Sequence, residues 1–138
     1  MPSVVFRRGL DLKAAVASEL AQDYRSALVE EVKASDFTYR AGRLTVHLAR
    51  EFGFCYGVDR AVDYAYQTRR RFPDRRVYLT GEIIHNPAVN AKLRAGGVRF
   101  LDDPGESVES VGADDVVILP AFGVTVSLLA RLDRGGQP

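Results

Sequence analysis

Across 138 residues, hydrophobic side chains make up 46% and charged ones 27%, with 19 Lys plus Arg set against 18 Asp plus Glu. That is enough chain for one hydrophobic core in a globular composition, and the charge balance gives no reason to expect a nucleic-acid partner. No apolar run approaches the ~20 residues that span a bilayer, the first residues carry no leader pattern, and a single cysteine makes no internal disulfide; the expected compartment is the cytoplasm, with no membrane partner.

From Asp11 to Ala34 the apolar residues Leu12, Ala15, Val16, Leu20, Tyr24, Leu28 and Val32 follow the three-and-four spacing of one buried helical face. Asp11 is the expected cap and Ser35-Asp36 the stop. Asp36 to Arg43 carries turn residues and basic charge and reads as a linker. Residues 1–43 are therefore expected to form a helical extension with its linker, and 44–138 an α/β lobe.

In that lobe Leu44, Val46 and Leu48 alternate as in a strand, and Val58, Ala61, Val62, Ala65 and Tyr66 form a helical stripe closed by Arg69-Arg70-Arg71. Val77-Tyr78-Leu79 is the next strand, Pro87 to Ala95 a short helix stopped by Gly96-Gly97, and Val98 to Leu101 a third strand. Val116 to Leu119 is an apolar fourth strand suited to cover on both faces, and Val124 to Leu132 a last helix. The alternation predicts an α/β fold: a mainly parallel sheet of about four strands with alternating helices, preceded by an N-terminal helix.

Ligands of such sheets bind beyond the carboxyl ends of the strands, and three loops are expected to meet there in one cleft. Gly53-Phe54-Cys55-Tyr56-Gly57 sets the only cysteine at a helix start, where the free amides and the dipole favour thiolate over thiol. The bland alternative for Cys55 is a small buried hydrophobe. Glu82-Ile83-Ile84-His85-Asn86-Pro87 sets His85 at a second helix start, with Asn86 as cap and Pro87 in the first turn. His85 is either an anion donor or a packing and capping residue. In Pro120-Ala121-Phe122-Gly123, Gly123 suits a tight turn and Phe122 reads as core, while Thr125 and Ser127 read as caps. His47 is expected to be structural, the arginines from Arg69 to Arg76 a solvated face beside a helix C-terminus, and the acidic stretch Asp102 to Asp115 solvent-facing loop. No dinucleotide fingerprint, P-loop or C-x-x-C pair occurs, and one cysteine with two histidines is a poor zinc set.

Three ordered segments, Phe52 to Val62, Glu82 to Asn90 and Ile118 to Gly123, resemble the LytB family of 4-hydroxy-3-methylbut-2-enyl diphosphate reductases, most closely its plant and cyanobacterial branch. The resemblance runs from about Tyr24 to the end of the chain. It implies one lobe of a three-lobed reductase that ends the non-mevalonate isoprenoid pathway. It further implies that Cys55 is one of a set of thiolates holding an iron–sulfur cluster of the 4Fe–4S type, and that His85 helps bind the substrate diphosphate. The implied partners are the allylic diphosphate substrate and an electron donor such as ferredoxin or flavodoxin.

Many bacterial members place a histidine where this chain has Phe122, which removes one diphosphate contact. The family's second cysteine and two further lobes are expected beyond Pro138. A cluster needs several thiolates, so these 138 residues alone are expected to be inactive, with no catalytic group of their own, and to associate through an uncovered apolar face. The alternatives are a non-catalytic binding or interaction module built on the same lobe and a stand-alone thiol enzyme with Cys55 as nucleophile and His85 as base. The second lacks a group to orient the base.

Overall fold

The structure, a computed structural model, describes residues 4–6, 9–120 and 122–135. Its elements run α1 (Lys13–Tyr24), α2 (Ala27–Ala34), β1 (Thr38–Ala41), β2 (Leu44–His47), α3 (Tyr56–Arg71), β3 (Val77–Leu79), α4 (Pro87–Ala95), β4 (Val98–Phe100), the 3-10 turn η1 (Val108–Ser110), β5 (Val116–Ile118) and α5 (Val126–Gly135). Strands β4, β3 and β5 form a parallel sheet in that order, with Val77 opposite Val98 on one side and Val116 on the other. The α/β class and the N-terminal helical region are as expected.

The parallel sheet has three strands among the described residues, one fewer than the alternation suggested. The missing one is β2, which pairs antiparallel with β1 in a separate hairpin, Tyr39 opposite Val46 and Ala41 opposite Leu44. The supposed linker therefore contains a strand. Gly42, at φ +57, turns the hairpin, and the hairpin's apolar residues Tyr39, Leu44 and Val46 are all exposed.

The single helix expected over 11–34 is two. Arg25 leaves α1 with extended backbone, and the Ser26 hydroxyl then accepts from Val29 N at 3.4 Å to start α2. Asp11 does not cap α1: the N-cap is Leu12 without a side-chain hydrogen bond, and the amides of Leu10 and Leu12 instead donate to Gln67 Oε1 of α3.

The core lies between the sheet and the pair α3 and α4, where Val62, Ala65, Val77, Leu79, Ile83, Val89, Leu93, Val98 and Phe100 are buried together. Strand β3 is buried on both faces. Alternation sends Tyr78 the other way from Val77 and Leu79, and its ring lies under the guanidinium groups of Arg76 and Arg99.

Helix α1 packs on α3 and is tied to the lobe by a polar cluster. Asp23 accepts from Lys92 Nζ at 2.9 Å and from the Tyr66 hydroxyl at 2.5 Å, and the Tyr24 and Tyr66 hydroxyls lie 3.3 Å apart. These bonds, that of Lys92 first, hold the Asp23 carboxyl below its ordinary value of 3.8. A depressed carboxylate contributes stability that is present above its unfolded pKa and is lost as pH falls through the lower folded one. Acidification below pH 3.8 should therefore loosen α1. In near-ultraviolet circular dichroism the tyrosine signal should fall over that range. Asp23→Asn should flatten the fall, and an unchanged acid profile in that variant would refute the assignment.

The basic and acidic runs are more than solvated faces. Arg69 clamps the end of α3, donating to the carbonyls of Phe72, Pro73, Arg75 and Gly96 at 2.9 to 3.2 Å. Arg76 and Arg94 make two-pronged pairs with Asp115 and Asp103 at 2.7 to 2.9 Å.

Candidate functional site

Helix α3 runs into the short connection that starts β3, so its opposite end, carrying Cys55, is directed toward the carboxyl edge of the sheet. The loops after β3 and β5 leave that same edge, and because these strands are neighbours their loops are neighbours too.

Cys55 is the N-cap of α3 and is exposed, which excludes the buried-hydrophobe reading. It has extended backbone, and no side chain caps the helix, so the first amides of this sixteen-residue helix are left without a side-chain acceptor. Gly53, at φ +106, makes the turn before it, with nothing within 4 Å of where a Cβ would stand. The positive φ alone accounts for that glycine, since a Cβ there would meet no neighbour.

His85 sits on a loop held from below. Ile83 and Ile84 are buried, and the carbonyl of Ile84 accepts from Asn86 N at 2.8 Å and from the buried Asn90 Nδ2 at 3.0 Å. The His85 ring is 87% exposed, with Nδ1 3.2 Å from Glu82 Oε2. An ionised Glu82 puts the ring proton on Nδ1 and leaves Nε2 without a hydrogen-bond partner among the described residues. Asn86 caps α4 as expected, and its Oδ1 takes the amides of Ala88 and Val89 at 3.0 and 3.2 Å. That consumes donors an anion would have used, so any anion at this edge depends on the ring more than on the helix start.

Phe122 is not core. It is 68% exposed, and its ring lies parallel to that of His85, centroids 5.7 Å apart at 11°. The turn at Gly123 forms as expected, with φ +84 and Gly123 N donating to Pro120 O at 3.0 Å. Ala121 lies outside the described residues. Thr125 caps α5, accepting from Leu128 N at 3.2 Å. His47 lies in β2 with Nδ1 3.3 Å from the Thr38 hydroxyl, a hairpin contact consistent with a structural role.

The structure thus joins His85 with Phe122, and places Cys55 at the same edge without a hydrogen bond to His85. Two cavities among the described residues, of about 610 and 290 Å³, lie along α1 and α3; Phe54 and Asp59 help line the smaller one, and neither is lined by Cys55, His85 or Phe122. Among the described residues no group of three or more His, Cys, Asp or Glu could hold a metal ion. Sequence reasoning missed Glu82 as the partner of His85; the three-residue spacing was its available signal.

The LytB protein family model matches residues 46–137, which include all three motif segments. The chain belongs to the LytB family. It is 50% identical over 135 residues to a 4-hydroxy-3-methylbut-2-enyl diphosphate reductase of Gloeobacter violaceus, covering 94% of this chain and 32% of that protein. Proteins of the same name from Prochlorococcus marinus and a Nostoc species are 46% and 42% identical over 132 residues, each match covering 94% of this chain and 33% of the relative. The chain spans about a third of the length of these curated relatives. No solved structure matches it. The segments that carry Cys55 and His85 fall inside the matched region. No helix among the described residues is long and apolar enough to cross a membrane.

Proposed function

We propose that this LytB chain is the N-terminal portion of a 4-hydroxy-3-methylbut-2-enyl diphosphate reductase. Cys55 supplies one thiolate to its iron–sulfur cluster and His85 helps hold the substrate diphosphate. The observation that carries this reading is the exposed Cys55 at an uncapped helix start, on the edge where His85 also stands exposed. When bound, the cluster would supply the two electrons that, with two protons, replace the allylic hydroxyl by hydrogen and release it as water, giving isopentenyl and dimethylallyl diphosphates. The electrons would come from a small donor such as ferredoxin or flavodoxin.

The residues present do not by themselves fit the cluster. The chain offers one thiol, and such clusters are held by several; the remaining ligands must come from protein outside these residues. A surface for such protein is at hand, since Phe52, Tyr56, Leu119, Phe122 and Val126 are exposed in the segments around the edge. The division into residues 1–43 and the lobe 44–138 belongs to the same proposal, as does the cytoplasmic location.

The thiol-enzyme alternative gains an orienting group in Glu82 but loses the dyad, because no hydrogen bond joins Cys55 to His85 among the described residues. Anaerobic reconstitution with iron and sulfide decides between these readings. A chain of the relatives' length should take up a brown, reductively bleachable cluster and reduce the allylic diphosphate, while the 138-residue chain should take up none. A long chain that folds and stays colourless would refute the proposal.

A further inference from the structure

The thiol loop is held almost entirely by the segment that precedes the family-matched region. Residues 49–54 make no backbone–backbone hydrogen bond among the described residues, so their order depends on side chains. Every second residue is anchored upstream. Arg50 pairs with Asp36 at 3.2 Å and lies 4.9 Å over the Phe37 ring. Phe52 lies under Lys33 Nζ at 5.2 Å. Phe54, immediately before the cysteine, meets Tyr24 edge to face at 5.6 Å.

Tyr24 is itself braced. Its hydroxyl meets that of Tyr66 at 3.3 Å, its ring lies 5.6 Å from Lys92 Nζ, and Asp23 beside it binds both Lys92 and Tyr66. The firmest anchor is therefore the one nearest the thiol, and it connects Cys55 through Phe54 and Tyr24 to the lobe's α3 and α4. The other two anchors are exposed pairs of modest strength.

We propose that Tyr24 and Lys33 of the N-terminal segment are positioning residues for Cys55, with Tyr24 dominant: through Phe54 and Phe52 they fix the loop that presents the thiol. The consequence for catalysis rests on Cys55 being the cluster thiolate, but the positioning itself does not. A fixed ligand geometry is what a metal centre needs from its surroundings, and a loop with Gly53 at φ +106 and no backbone bonds of its own would otherwise sample many conformations.

The lone cysteine makes the test specific, because a nitroxide thiol label goes to one place. In the 138-residue chain, the label on Cys55 should show restricted motion by electron paramagnetic resonance. Tyr24→Ala should shorten its rotational correlation time by roughly twofold or more, a change on the loop-motion timescale. Tyr24→Phe, which keeps the ring, should restore the parent spectrum, and Lys33→Ala should give a smaller shift. Arg94→Ala breaks an ion pair with Asp103 and serves as the control that destabilises without touching the loop. An unchanged spectrum in folded Tyr24→Ala would overturn the proposal, as would an equal shift in Arg94→Ala. If Tyr24→Ala does not fold, Lys33→Ala decides, and no shift there overturns it. An ordered loop in a longer chain that binds no cluster would count against the functional reading alone.

Discussion

Cys55→Ser in a chain of the relatives' length should abolish cluster uptake and allylic diphosphate reduction while leaving the fold intact. The side chain is exposed and makes no capping hydrogen bond, so its replacement by another small residue costs little packing. Surface changes of that kind usually stay within about 0.5 kcal/mol. The functional loss should be far larger. Removing a partner one shell away from a metal typically costs about 10- to 100-fold, and removing a direct ligand should exceed that. Serine is also informative in the opposite direction, because it is a good N-cap and should accept from the first amides of α3 that Cys55 leaves without a side-chain acceptor. The expected pattern is no iron, with thermal stability equal to or slightly above that of the cluster-free parent chain. Metal content and reductase activity measured on the same preparation check it, and a Cys55→Ser protein that retained its iron would remove Cys55 from the ligand set.

Phe100→Ala should be the most damaging single truncation in the lobe. Phe100 is fully buried on β4, in the cluster with Leu79, Leu93 and Val98, and the Arg94 guanidinium sits 3.9 Å from its ring centroid. Emptying such a site costs about 3–5 kcal/mol, against a total of roughly 5–15 kcal/mol for an ordinary domain. Urea denaturation should show a large fall in midpoint at nearly constant slope. The Arg94–Asp103 pair should weaken as well, since the ring is part of what positions the guanidinium. A drop smaller than that of an exposed-residue control such as Leu129→Ala would contradict the burial of β4.

Which parts of the molecule are legible in the sequence follows from the kind of information each part needs. Helix α4 is readable to the residue: Asn86 caps it, Pro87 opens it and Gly96 follows its end, all local chemistry with no competing use. The N-cap position of Cys55 is readable for the same reason. The alternation of Leu44 and Val46 marks β2 as a strand but places it in the wrong sheet, because it specifies a period and says nothing about a partner. The real partner lies in a stretch whose basic residues resemble a linker.

The break between α1 and α2 escapes notice because the apolar spacing continues across Arg25 and Ser26. Phe122 reads as core on hydrophobicity alone; its pairing with His85 needs two loops from adjacent strands and is not local information. The anchoring of residues 50, 52 and 54 belongs to the same class, since it depends on how an upstream helix folds back over the lobe.

The bond between Asp23 and Lys92 spans 69 positions of chain. Closing so long a loop is entropically costly and gives nothing back until both ends are already ordered. During folding, the neighbouring units α3, β3, α4 and β4 should therefore assemble first, with α1 settling onto them late. Contacts formed after the rate-limiting barrier govern how slowly a protein comes apart rather than how quickly it comes together. The first helix of this chain thus acts as a clasp, with its main effect on the lifetime of the assembled state.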